Sequence, residues 1–374
     1  MDSTFRLENL NRYFEGGSFG SNGVLNVVSL HGDWHQMGRQ YGSLTQHLLC
    51  EVLSFVLNHA DTPQKRTQVN QTAQKLFSRY PDHLKSFFDG VAATSGLSLD
   101  QLRLINAVEY AEPDFMCSAM AAFGDYGEGR LVFGRNYDGV SFLPLAGDLL
   151  ITVFHPDNAL SAAIIGYAGE IYCVNGFNEQ GLFVELNNGM PSAGYQIRYD
   201  MNASTTELLC MLFQAHNMEE VDHFFNTTPS FSSLIIGVAD SCEARTYEWC
   251  TAGVQRADTQ LPHGLALHTN HYVHPDWPFP QPDDTHSWQS STRRCNLFSM
   301  AERHKGHWNS ERMRTLMQTP IAEGGPMFDT ITLYQLVVEP DEMRLWMRIP
   351  DKMPWIQIPM LDLLTPPTYS VVNG

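Results

Sequence analysis

Asp114-Phe115-Met116-Cys117-Ser118-Ala119-Met120 marks a change of texture in the chain. Upstream, Leu44, Leu48, Val52 and Val56 recur every four residues and share one helical face. Further helices are predicted near 65–79 and 83–94, and Ser98 with Gln101 has the capping-box spacing that opens another at 99–111. Residues 16–23 read as a glycine-rich loop and 24–30 as a strand, so the part before Cys117 reads as mostly helical. Downstream, residues 120–125, 130–136, 149–155, 162–167, 171–174 and 181–186 read as short strands punctuated by turn signals such as Gly127-Glu128-Gly129. A helix is predicted over 205–225, a hairpin from 233–239 with 244–250, and a strand at 265–269. Helices at 291–304 and 309–317 precede a closing hairpin, 330–339 with 343–349, turned at Pro340-Asp341. Antiparallel strands with grouped helices indicate α+β layers, not alternating βαβ units.

The 374 residues are 43% hydrophobic and 17% charged, which allows a sizeable core and excludes a disordered chain. Forty-one acidic against 23 basic residues leave a net charge of −18. That balance excludes a nucleic-acid surface, which needs clustered Lys and Arg, and disfavours docking on anionic membranes. No apolar run reaches the length of a spanning helix. Residues 1–8 lack the features of a secretory signal, so a cytoplasmic location is expected. Seven cysteines, at 50, 117, 173, 210, 242, 250 and 295, form no CxxC pair. A disulfide framework is not expected, and most should be small buried hydrophobes. The stretch His268-Thr269-Asn270-His271-Tyr272-Val273-His274 invites a metal reading. Thr269, Tyr272 and Val273 favour an extended chain, however, in which His268 and His271 face opposite ways. No metal or organic cofactor is expected.

Five landmarks follow one another after Cys117: Phe133-Gly134-Arg135-Asn136-Tyr137-Asp138-Gly139, Gly176-Phe177-Asn178-Glu179-Gln180-Gly181-Leu182, Leu186-Asn187-Asn188, His268-Thr269-Asn270-His271 and Ser290-Ser291-Thr292-Arg293-Arg294. This order resembles the penicillin acyltransferase family of self-processing N-terminal cysteine hydrolases and, more distantly, the choloylglycine and penicillin V hydrolases. The resemblance implies an N-terminal-nucleophile fold, two antiparallel sheets between helical layers in an αββα sandwich. It also implies a prosegment, residues 1–116, and a catalytic part, 117–374, within one compact domain. Scission of Met116–Cys117 would free an α-amine on the residue that carries the thiol. An α-amine titrates at roughly 7.7–8.0 and is a usable base near neutrality, whereas an amide nitrogen is not. Cys117 would attack a linear amide and form an acyl-thioester. The resemblance assigns Asn270 and Asn187 (or Asn188) to the developing oxyanion, and Asp138 to the new α-amine. It assigns Arg135 to the thiol and Arg294 (or its neighbour Arg293) to the closing charge. Met116 stands where the family pattern has a small residue.

The expected partners are a small-molecule amide substrate and the chain's own cleaved prosegment; nucleic acid and membrane are not expected, and a homo-oligomer is left open. Rival readings are an acyltransferase moving an acyl group from acyl-CoA or an amide to an amine, an unprocessed binding protein, and a zinc hydrolase built on the histidine stretch. Asn178-Glu179-Gln180-Gly181 reads as a hairpin turn with Gly181 at positive φ. Gly38 and Gly42 read as close-packing positions on a helix. Glu185, alone on an apolar strand, faces solvent or lines the pocket.

Overall fold

The computed structural model describes residues 3–111, 115–193 and 198–365. Among the described residues before Phe115 lie four strands, β1 (Ser3–Thr4), β2 (Leu10–Phe14), β3 (Gly17–Asn22) and β4 (Leu25–Gly32), and six α-helices. These are α1 (Trp34–Leu44), α2 (Gln46–His59), α3 (Pro63–Ser78), α4 (Asp82–Ser95), α5 (Leu99–Asn106) and α6 (Val108–Ala111). Local chemistry sets their ends. Asp33 caps α1 by accepting from the Gln36 N–H at 2.8 Å, Thr62 caps α3 ahead of a proline, and Ser98 with Gln101 forms the predicted capping box on α5. α4 stops at Gly96, which adopts φ 76°.

After the transition come β5 (Phe115–Ala122), β6 (Val132–Gly139), β7 (Leu149–Pro156), β8 (Ala162–Tyr167), β9 (Asn175–Asn178) and β10 (Phe183–Asn188). Helices α7 (Met190–Ala193), α8 (Ser204–Leu212) and α9 (Met218–Thr227) lead to β11 (Leu234–Ala239), β12 (Ala244–Cys250), β13 (Gly253–Arg256) and β14 (Leu265–His268). The chain finishes with α10 (Ser290–Arg303), α11 (Ser310–Met317), β15 (Thr332–Glu339), β16 (Arg344–Ile349), β17 (Met353–Pro359) and α12 (Met360–Leu364). The strands make two sheets, ordered β1-β17-β16-β15-β6-β5-β14 and β13-β12-β11-β10-β9-β8-β7-β4-β3-β2. Pairing is antiparallel except for β1 with β17 and β4 with β7.

The sheets meet through β5 and β10; α10 and α11 cover the outer face of the first sheet, and α1, backed by α4, covers that of the second. This is the expected αββα sandwich. Because side chains alternate along a strand, β5 serves two cores. Cys117, Ala119 and Ala121 belong to the large central core, while Met120 and Ala122 pack with Leu297, Met313 and Met317 beneath α10 and α11.

Three readings need correction. Residues 17–22 form a strand, not a loop: a side chain on Gly20 would fall 1.8 Å from the Asn9 carbonyl, so glycine serves close strand packing there. The 205–225 helix is two helices, broken where the Asn217 side chain accepts from the N–H groups of Glu219 and Glu220. The strand expected at 171–174 lies instead at Asn175–Asn178, and β17 escaped notice because Pro354 and Pro359 punctuate it.

Candidate active site

Antiparallel pairing sets Cys117 opposite Tyr137 and Met116 opposite Asp138. Alternation then turns Arg135 and Tyr137 to the inter-sheet face with the Cys117 side chain, and Asp138 to the opposite face with Ser118. Arg135 Nη2 lies 3.2 Å from Cys117 Sγ and donates to the Leu186 carbonyl at 2.6 Å. Its Nη1 pairs with Glu185, whose other oxygen meets His268 Nε2 and accepts from the Gly237 N–H. Arg135 and Glu185 are both fully buried.

On the far side of the strand, Arg293 reaches in from the first turn of α10. Its Nη1 donates to the Cys117 carbonyl at 2.6 Å and to Ser118 Oγ at 2.7 Å, and its Nη2 donates to Asn270 Oδ1 at 2.8 Å. Asn270 Oδ1 also accepts from the Cys117 N–H at 3.0 Å. Two donors converging on one atom identify it as the amide oxygen. Asp138 Oδ1 accepts from Thr332 Oγ1 at 2.5 Å, while its Oδ2 is buried with no hydrogen-bond partner.

The Arg294 expectation is corrected here. Successive helical residues diverge by about 100°, and Arg293, not Arg294, faces β5; Arg294 Nε has no partner. Asn187 and Asn188 are separated by the same alternation that separates Arg135 from Asp138. Asn187 Nδ2 donates to the Thr269 carbonyl at 3.0 Å, whereas Asn188 lines a pocket shared with Cys117. Asn270 Nδ2 donates to the Asn188 carbonyl at 2.9 Å, which leaves its second amide hydrogen for another acceptor. The strand ends at His268, and His271 lies beyond it in a bend, so the two imidazoles take different partners. His268 Nδ1 meets Thr246 Oγ1, and His271 Nδ1 meets Ser290 Oγ. Gly181 has φ 83° at the predicted turn.

Burial dominates the electrostatics. It pushes the Cys117 thiol up to about 12, outweighing the pull of Arg135, so Arg135 alone does not make a thiolate in the continuous chain. Burial likewise raises Asp138 to about 7 against the opposing effects of Arg293, the Thr332 hydroxyl and Arg135. For Arg293 burial lowers the affinity for its proton despite Asp138.

A pocket with about 80 Å³ of cavity volume opens beside Cys117. Its walls are apolar and aromatic, with Phe115, Tyr137, Tyr172, Leu186 and Phe231 among them. Glu109, from α6, also lines it and accepts from Tyr137 Oη at 2.7 Å and Tyr172 Oη at 2.8 Å. Residue-level reading missed Glu109 and the Thr332 hydroxyl. The one available signal was an acidic residue in an apolar strand, at Glu185, which packs against Arg135 rather than facing solvent.

A four-layer sandwich with a cysteine on a central strand defines the class of N-terminal-nucleophile amidohydrolases and acyltransferases. The family described as acyl-coenzyme A:6-aminopenicillanic acid acyl-transferase matches residues 126–352, and the chain belongs to that family. The match begins nine residues after Cys117 and spans Arg135, Asp138, Asn187, Asn270, Arg293 and Arg294. Among solved structures, the chain is similar to a Caenorhabditis elegans N-acylethanolamine-hydrolyzing acid amidase ortholog, with 16% identity and a TM-score of 0.47 over 63% of this chain and 95% of that one. It is also similar to a conjugated bile acid hydrolase from Clostridium perfringens, with 13% identity and a TM-score of 0.45 over 66% and 93% of the two chains. Penicillin V acylase from Agrobacterium tumefaciens gives 11% identity and a TM-score of 0.42 over 66% and 88%. No curated protein sequence matches the chain. No described helix is long and apolar enough to cross a membrane.

Proposed function

We propose that this chain is a cysteine amidohydrolase of linear amides, activated when it cuts its own Met116–Cys117 bond. The observation that carries the reading is the double hold on Cys117. Its backbone N–H is bound by Asn270 Oδ1, and its thiol sits 3.2 Å from Arg135 at the wall of an apolar pocket. In self-processing, Sγ adds to the Met116 carbonyl carbon and the thiol proton passes to the scissile nitrogen. The C–N bond breaks, leaving a Met116 thioester on Sγ and a free amine on Cys117. Water then releases the Met116 carboxylate and restores the thiol.

The new α-amine inherits Asn270 Oδ1 as its acceptor and, once protonated, can pair with the partnerless Asp138 Oδ2. As a neutral amine it takes the thiol proton when Sγ attacks a substrate carbonyl, and it returns that proton to the leaving amine. The free hydrogen on Asn270 Nδ2 suits the oxyanion, where one fixed donor is worth about 3 kcal/mol. Water hydrolyses the acyl-thioester. The family's description as acyl-transferring favours a second fate, capture of the same thioester by an amine. Products formed with and without an added amine separate the two.

Intact mass and N-terminal sequencing test the reading. Two pieces, the second beginning at Cys117, are expected from the wild type. Cys117→Ala should give one uncut 374-residue chain without turnover. An active wild-type chain continuous through 116 and 117 removes the proposal, and a continuous chain without turnover leaves the binding-protein reading.

A further inference from the structure

The pocket beside Cys117 is mostly apolar, and its one carboxyl, Glu109, comes from the part of the chain that scission would separate. Glu109, seven residues short of Met116, is held by two tyrosine hydroxyls, one on each carboxylate oxygen. Tyr137, one of these, lies opposite Cys117 across the β5–β6 pair, so its ring spans from the neighbourhood of the thiol to the carboxyl. Next to this pair, Tyr110 Oη and Thr205 Oγ1 are hydrogen-bonded to each other, and the Tyr110 ring packs edge-on to Tyr172 and Phe231. Ser232 follows Phe231 along the pocket wall. It is 2% exposed, and its Oγ has no hydrogen-bond partner.

A buried hydroxyl without a partner costs about 1–3 kcal/mol unless something supplies one. The Glu109 carboxyl accepts from two neutral phenols and makes no ion pair, in a pocket that otherwise favours hydrocarbon. Both needs are met by one kind of guest, a donor-bearing cation at the end of an apolar arm. We propose, resting on the amidohydrolase reading above, that Glu109 and Ser232 form an acyl-specificity subsite for acyl groups carrying a primary ammonium remote from the scissile carbonyl. The apolar walls take the methylene or aryl arm, Glu109 accepts from the ammonium as its counter-charge, and Ser232 Oγ supplies a second acceptor. An acyl group ending in a carboxylate meets like charge there and is rejected. Glu170 is buried beside Glu109: burial raises both carboxyls, Glu109 makes Glu170 harder still to ionise, and Glu170 in turn favours the ionised form of Glu109.

The probes are three nitroanilides of equal chain length: hexanoyl, 6-aminohexanoyl and 5-carboxypentanoyl. The wild type is expected to favour 6-aminohexanoyl over 5-carboxypentanoyl by at least tenfold in kcat/KM. In Glu109→Gln the 6-aminohexanoyl to hexanoyl ratio should fall at least tenfold, and in Ser232→Ala by a smaller factor. Intact mass first establishes that each variant is cut. If Glu109→Gln fails to fold or process, Tyr172→Phe, which frees the carboxyl from one of its two donors, is read instead for a rise in the 6-aminohexanoyl to hexanoyl ratio. Hexanoyl turnover with ratios unchanged in the variants overturns the subsite and leaves the amidohydrolase reading standing. A wild type that is uncut, and neither cleaves nor is acylated by any of the three, overturns both.

Discussion

Asp138 is the residue whose charge state the fold disturbs in the most testable way. Its carboxyl is raised from 3.8 to about 7, chiefly by burial. The folded chain therefore binds a proton that the unfolded chain has lost between those two values. Stability falls as pH rises through that window and levels off above it, by an amount of the order of a few kcal/mol. Asp138→Asn removes this dependence, so in the uncut chain it should stabilise more at pH 8 than at pH 4. Thermal unfolding of the variant against the parent, both carrying Cys117→Ala, measures the difference; equal gains at both pH values would show an ordinary aspartate. Glu185 makes the opposite case. It is the countercharge of a fully buried arginine, and removing one member of such a pair is strongly destabilising. Glu185→Gln should cost about 3 kcal/mol in chemical denaturation, and a cost under 1 kcal/mol would mean that Arg135 finds another partner.

At the scale of elements, α1 and α4 show why two glycines were legible as packing positions. A methyl on Gly38 would sit 2.0 Å from the Phe87 carbonyl oxygen, and one on Gly42 would sit 2.6 Å from that of Val91. These atoms are helix backbone and cannot step aside. Gly38→Ala should therefore cost roughly 1–3 kcal/mol by overpacking, although alanine is the better helix former. A melting temperature equal to the wild type's would show that the helices can slide apart. β5 makes the complementary point. Its alternation puts the thiol toward one core and Ser118, with its Arg293 partner, toward the other. Arg135 and Asp138, three apart on β6, consequently lie on opposite faces of the sheet around Cys117.

For the whole molecule, the first 116 residues are part of both sheets. β1 adds to β17 at one edge, and β4 pairs with β7 over seven residues and carries β3 and β2 with it. Their helices bury Tyr41, Leu49, Val52 and Phe87 in the central core. A cut at Met116–Cys117 should accordingly leave the pieces of 116 and 258 residues together. They should co-elute at the size of the intact chain in native buffer and separate only in denaturant. Native loss of the smaller piece with the larger one still folded would contradict this.

Local signals were sufficient for much of this protein. Capping residues, hydrophobic periodicity and turn glycines placed α5, β8, both hairpins and the change of texture at Cys117, because those features depend on neighbours a few residues away. The order of the landmarks marked Cys117, Arg135, Asp138 and Asn270, which the fold brings around one short stretch of β5. What lay beyond sequence was register and depth. Whether Arg293 or Arg294 faces β5 turns on a helix rotation of about 100°. Whether Asn187 or Asn188 faces the pocket turns on a strand alternation of one residue. Glu109 and Ser232 meet in one pocket only because α6 and the segment before β11 converge there. The ionisation of Cys117 and Asp138 also waited on the tertiary structure, because desolvation depends on every layer packed around a group and not on the residues beside it in the chain.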